Sequence, residues 1–198
     1  MEQIAPESRR TRARSRSASR LPRHCPRAWM AWVLVWVYLA TSHPAKAAEE
    51  YQVKAAFLLN FTKFVEWPEG AFEDEHSPLA ICILGEDPFG SALNDMVKGE
   101  AVNGHEVVIR RIHRVPASKE CQVLYVERSE REASKILGAL GPGILTVGEG
   151  EMFLRDGGMV AFVIEDRRVR FDINQRAAAK AMLTLSSRLM MVARSVQQ

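Results

Sequence analysis

From Glu50 to Trp67 the chain reads EYQVKAAFLLNFTKFVEW. Apolar side chains recur at Tyr51, Val53, Ala55, Phe57, Leu58, Phe61, Phe64 and Val65, a spacing that predicts an amphipathic helix closed by Pro68. LAICILG, 79–85, is a continuous apolar run and predicts a buried strand. DPFGSALNDMVKG predicts a short helix with Asp87 as N-cap and Pro88 in its first turn. GHEVVIRRI and CQVLYVER predict two further strands. SEREASKILGAL predicts a helix in which Ser129 and Glu132 form a capping box. GPGILTVGEG predicts a fourth strand and EMFLRDGG a short helical turn.

The alternation then breaks. Met159–Ile164 and Arg168–Ile173 predict two strands joined by EDRR as a hairpin, with Gly157 and Gly158 in the turn before it. QRAAAKAMLTLSSRLMMVARSV, capped by Asn174, predicts one long helix. The order αβαββαβαββα implies a three-layer α/β/α sandwich with a mainly parallel sheet, its first and last helices packed on one face.

The first 47 residues stand apart from this pattern. Residues 1–28 carry eight arginines, Trp29–Ala40 is an apolar run of twelve, and Ala45-Lys46-Ala47 is a small-x-small site. Together they predict a secretory signal peptide cleaved near Ala47. An uncleaved anchor is the alternative, but twelve residues fall short of the ~20 that span a bilayer. No lipobox cysteine follows the apolar run. Residues 48–198 then form one domain.

Removing this segment reverses the charge. The whole chain has 27 Lys+Arg against 24 Asp+Glu, net +3, but residues 1–47 hold nine of the basic and two of the acidic side chains. The remainder is net −4, so the basic balance gives no argument for nucleic acid. Cys25 leaves with the leader. Cys82 and Cys121, each near the start of a predicted strand, are an even pair that suggests one disulfide in an exported protein; two buried thiols are the alternative. Two cysteines make no metal cage, and the histidines show no ligand spacing. No cofactor or metal site is expected.

Candidate chemistry is thin. Gly85-Glu86-Asp87-Pro88-Phe89-Gly90 follows a strand but lacks G-x-G-x-x-G and puts two acids where a pyrophosphate would approach. Asp87 resembles a receiver's phospho-acceptor only in position, since ILTVGEGEM supplies no late lysine. Ser186 and Ser187 sit in LTLSSRL without a G-x-S-x-G elbow. Glu73 with Glu75, and Glu165 with Asp166, read as solvated turns. No enzyme site is expected.

Several segments together resemble the YfiR family of exported proteins (DUF4154): YQVKAAFLLNFTKFVEWP, ICILGEDPFG, GILTVGEGEMFLRDGGMVAFVIEDRRVRFDIN and AAAKAMLTLSSRLMMVAR. The likeness covers about Glu50 to Val196. It implies an α/β sandwich that dimerises. It implies a periplasmic repressor of a membrane-bound diguanylate cyclase, acting on that enzyme's periplasmic sensor domain to lower cyclic-di-GMP and biofilm formation. It also implies an outer-membrane lipoprotein with an OmpA-like domain that sequesters the repressor. Some relatives carry a second cysteine pair near the last strands, and FLRDGGMVAFVIED has none, whereas Cys82 and Cys121 are retained.

Partner contacts are expected from Met190, Met191 and Val192, because the last helix is apolar on more than one face. A second reading is a small-ligand-binding protein using the crevice at the carboxyl ends of the strands, with Glu86, Asp87, Arg170 and Asn174 as candidates. Arg170 is expected either in an ion pair or as an anchor for ligand or partner. An uncharacterised hydrolase ranks last.

Overall fold

A computed structural model describes residues 44–198, apart from Ser118 and Arg131. Residues 1–43 of the expected leader lie outside the described residues, and its last four, with the expected cleavage site, form the start of α1. The elements are α1 (Pro44–Thr62), β1 (Val65–Glu66), β2 (Leu79–Leu84), α2 (Ser91–Val97), β3 (Ala101–Val102) and β4 (His105–Ile112). They continue with β5 (Val123–Val126), α3 (Ala133–Ala139), β6 (Leu145–Glu149), α4 (Gly150–Arg155), β7 (Val160–Glu165) and β8 (Arg168–Asn174). The chain ends in α5 (Gln175–Lys180), β9 (Thr184–Leu185), α6 (Ser187–Val192) and β10 (Ser195–Gln197).

Eight strands form one sheet in the order β10-β8-β7-β6-β5-β2-β4-β3. Neighbours from β4 through β7 are parallel, as expected; β3 and β8 pair antiparallel with β4 and β7, and β10 lies parallel to β8. A parallel sheet is buried on both faces, and two apolar clusters cover this one. On one face Leu58 and Phe61 of α1 meet Ile81, Ile83, Val147, Phe162 and Phe171, with Ala178 of α5 and Leu189 of α6 in the same cluster. Phe61 lies 5.0 Å from Phe171 and 5.8 Å from Phe162, ring centre to ring centre. On the other face Ala80, Cys82, Leu124 and Ala161 meet Ile136 of α3 and Phe153 of α4. The three-layer α/β sandwich is therefore present.

Phe153 explains two glycines. A Cβ on Gly148 would lie 2.5 Å from its ring, and one on Gly158 would lie 2.2 Å from it. Gly157, at φ +102°, makes the turn, so Gly158 is there for space rather than backbone freedom. The expected EDRR hairpin forms, with Asp166 and Arg167 both at positive φ.

The long last helix does not form. α5 stops at Lys180 in a Schellman motif: Met182 N–H donates to Ala179 O at 3.0 Å and Leu183 N–H to Ala178 O at 3.0 Å. Met182 takes φ +60°, a position that usually holds glycine. The chain is thereby turned so that Thr184–Leu185 can pair with Val65–Glu66. Ser186 then caps α6, its Oγ accepting from Leu189 N–H at 3.2 Å. The same pairing shortens the first helix, which ends at Thr62 and not at Pro68. Two expected caps also fail. Asp87 does not cap α2, which begins at Ser91 after Gly90, because Phe89 is drawn into the core first. Ser129 does not cap α3; its N–H donates to Glu127 at 2.7 Å and its hydroxyl to the same carboxylate, closing a turn before the helix, which begins only at Ala133 after Glu132. Asn174 does cap α5, accepting from Ala177 N–H at 2.9 Å.

Cys82 on β2 and Cys121, two residues before the neighbouring β5, are joined as a disulfide with Cα atoms 5.9 Å apart. Two stability outcomes follow from these features. Replacing both cysteines by alanine should lower the urea-unfolding free energy by about 4 kcal/mol on the chain-entropy model for a separation of 39 residues. Met182→Gly should raise it by about 1 kcal/mol, since glycine removes the left-handed strain at an exposed position.

Candidate functional site at the carboxyl ends of the sheet

β2 is the switch point of the sheet: the next long strand, β4, pairs on one side of it and β5 on the other. Open α/β sheets bind ligands in the crevice outside the carboxyl ends at such a point. At the switch point itself the crevice is filled by the chain, and a cavity of about 570 Å³ opens only further along, at the carboxyl ends of β5 and β6, lined by Glu127, Arg128 and Glu149. Asp87, just past β2, accepts from the N–H groups of Phe89 (2.8 Å) and Gly90 (3.3 Å) and from Arg111 Nε (2.8 Å). These bonds fold the loop so that Phe89 is buried, edge-on to Tyr125 at 4.8 Å and to Tyr51 at 5.6 Å. Gly85 faces Glu127 across the strand ends, where a Cβ would come within 3.2 Å. The carboxylate of Asp87 is spent on the turn and on Arg111.

Beneath Phe89 lies a buried charged cluster. Lys54, on the apolar stripe of α1, is 2% exposed. Its ammonium donates to Glu149 Oε1 at 2.8 Å, pairs with Glu50 at 2.6 Å and sits 4.3 Å above the Tyr51 ring. Tyr125 on β5 donates its phenol to the same Glu149 oxygen at 2.7 Å. Burial, then the Glu149 charge, push the Tyr51 phenol up to about 12 and Tyr125 further still. For Glu149 burial works in the opposite direction to its partners: desolvation raises its pKa, but hydrogen bonds from Lys54 and Tyr125 outweigh this and hold it below the ordinary range. The cluster ties α1 to β5 and β6. A lysine on an apolar stripe and a glutamate ending a buried strand were its signals in the sequence.

The four residues expected to share a crevice do not converge. Ile83, Tyr125, Val147, Val160 and Ile173 form one row across the sheet. Glu86 and Asp87 lie beyond this row at the end of β2. Arg170 is level with them on β8, but four strand spacings away, roughly 19 Å. Asn174 lies below the row, opposite Met159 at the other end of the sheet. Arg170 is exposed, and among the described residues it makes no ion pair. That role on this sheet edge belongs to Arg194, which donates to buried Asp172 at 2.8 Å and to Glu151 at 3.1 Å. Burial raises the Asp172 pKa, but the Arg194 hydrogen bonds override it and hold the carboxyl low.

Of the three residues expected at a partner surface, Met191 is 76% and Val192 60% exposed, while Met190 packs partly on the core. They stand on α6, next to the edge strand β10, and Ile164 on β7 is exposed as well. Among the described residues no cluster of three potential metal-ligating side chains occurs, and no helix is long and apolar enough to cross a membrane.

The buried pair sets a pH response. Glu149 is depressed in the folded state, so its stabilisation is fully present above the ordinary glutamate pKa of 4.5 and is lost as pH falls through the lower folded value. Lys54→Met should cost about 3 kcal/mol at pH 7, because it strands a buried carboxylate. The deficit should shrink on acidification as Glu149 takes up a proton, and Glu149→Gln in the same chain should recover part of it. Urea melts of the three proteins from pH 7 to pH 3 check both outcomes.

Comparison with known proteins follows the fold. A solved structure of a conserved domain protein from Vibrio cholerae aligns at a TM-score of 0.47 and 10% identity, covering 74% of this chain and 60% of that one. The chain thus spans less than two thirds of that protein's length. No curated protein matches. The model of the YfiR/HmsC-like family (DUF4154) matches residues 51–194, from Tyr51 of the buried cluster to Arg194 at the sheet edge, and the chain belongs to that family.

Proposed function

We propose that this protein is a periplasmic regulator that holds down a membrane-bound diguanylate cyclase by binding its periplasmic sensor domain, lowering cyclic-di-GMP and biofilm formation without chemistry of its own. Membership of the YfiR/HmsC-like family over residues 51–194 carries this reading. The packing of Phe89 on Tyr125 is consistent with it, because it fills the switch point of the sheet, where a ligand of such a fold would sit. Two further residues support it: Met191 and Val192 offer exposed apolar contact area beside an edge strand, where an adaptable methionine suits a protein partner.

Repression in this scheme is a population shift. The regulator binds the inactive sensor domain better than the active one, and a tenfold preference corresponds to about 1.4 kcal/mol. A few apolar contacts supply that much. Export by the segment Met1 to Ala47 places the regulator with the sensor domain. An OmpA-like outer-membrane lipoprotein would release the cyclase by competing for the regulator, which acts as a homodimer.

Deleting the gene should raise cellular cyclic-di-GMP and biofilm. Restoring the full chain should reverse this, whereas a chain lacking Met1 to Ala47 should not. Met191→Asp with Val192→Asp should fail to restore repression while leaving the melting temperature unchanged, since both side chains are exposed. Unchanged cyclic-di-GMP on deletion, or full complementation by the cytoplasmic version, would refute the proposal.

A further inference from the structure

At the end of the sheet opposite the filled crevice, a cavity of about 520 Å³ opens between α3 and α5. That volume falls within the roughly 300–1,000 Å³ of small-molecule sites. Its apolar wall is formed by Leu137 and Leu140 from α3 and its end, Ile144 and Met159 from the strand starts, and Ala177 and Met182 from α5 and its turn. Four polar side chains also line it, Thr146, Asn174, Arg176 and Lys180, and no carboxylate does.

What these four can still offer is one-sided. Thr146 is 1% exposed, and its oxygen accepts from Met159 N–H at 3.1 Å. Among the described residues its own hydroxyl hydrogen is given to no acceptor. Asn174 spends its oxygen on the α5 cap, at 2.9 Å from Ala177 N, and keeps its amide hydrogens with one long contact of 3.5 Å to Leu154 O. Arg176 gives one hydrogen bond to Gln198 O at 2.9 Å and Lys180 is exposed. Among the described residues Lys180 is in no ion pair, and the one partner of Arg176 is the oxygen of the last residue, which leaves the rest of its guanidinium free to donate. The internal bonds of the fold have thus used the side-chain acceptors of Thr146 and Asn174 and left donors and positive charge beside the apolar part of the cavity. Such a site is complementary to an acceptor with negative charge on an apolar body.

We propose that this cavity binds a small organic anion with an apolar body, of which a medium-chain carboxylate is the simplest, its head group at Arg176 and Lys180 and its body between α3 and α5. The site is distinct from the surface of Met191 and Val192, and does not depend on the regulatory reading.

Dodecanoate titrated into the purified protein by calorimetry is the test. It should bind in the micromolar range, with dodecanol, dodecyltrimethylammonium and butyrate at least about tenfold weaker. Arg176→Glu with Lys180→Glu should weaken dodecanoate by at least about tenfold in a protein that still unfolds cooperatively, both positions being exposed. Amide shifts on binding should map to Leu137, Thr146, Ala177 and Met182. Phosphatidylglycerol vesicles that displace dodecanoate would identify a membrane lipid as the source of the anion, and vesicles that leave it bound would identify a free acid. Absence of binding, equal binding of dodecanol, undiminished binding by the charge-reversed protein, or shifts confined to the other end of the sheet would overturn the proposal.

Discussion

The rest of this structure answers to one constraint: a parallel sheet has to be covered on both faces. The central strands β2, β5 and β6 show almost no face to water, so their side chains are mostly apolar on both sides, as in LAICIL of β2, where all six residues are buried. β4, toward the edge, keeps Glu106, Arg110 and Arg111 exposed. The two covers differ in kind. α1, α2, α5 and α6 lay large aromatic and aliphatic side chains on one face. The other face is closed by two short helices, and there the approach has to be tighter. Gly148 and Gly158 lack side chains because Phe153 occupies the space they would take. The disulfide lies in that same thinner layer, beside Ile136 and Leu124.

Coverage also accounts for the buried charge. α1 crosses the carboxyl ends of β5 and β6, where the tyrosine of one strand and the glutamate of the other point into the helix layer. An ordinary aliphatic residue at position 54 would leave Glu149 without a cation. Lys54 therefore sits on the apolar stripe, where its ammonium serves two carboxylates and a ring face. Burial of an ion pair is weak evidence for added stability. Its value here is in fixing how α1 lies on the sheet.

What could be read in the sequence divides along the same line. Strands β2, β5, β6 and β7 were legible because burial on both faces makes continuous apolar runs, and the β7–β8 hairpin because EDRR separates two of them. The last helix was misread because alanine, leucine and methionine fit a helix wherever they stand. Nothing local in Ala181-Met182 announces a left-handed turn; the demand for it comes from β1, more than a hundred residues earlier. LTLSS did carry a signal, a short strand followed by a serine cap, that composition masked. β3 was missed although Asn103-Gly104 is a favoured hairpin turn. Asn174 was legible as a helix cap, whereas Arg170, expected with it at the join of hairpin and helix, lies at the other end of β8. The distance of Glu86 and Asp87 from Arg170 depends on strand order, which sequence periodicity does not contain.

Phe57 and Phe61, on the first described helix, find their ring partners in Phe162 and Phe171, on β7 and β8. The sheet edge is completed later still, by Ser195–Gln197 against β8. During synthesis this helix has none of these ring partners to bury itself against until almost the whole chain has followed. Contacts of such long sequence separation slow folding. This domain therefore assembles after its chain is complete rather than alongside its elongation, and in the interval its phenylalanine face is exposed to any chaperone that meets it.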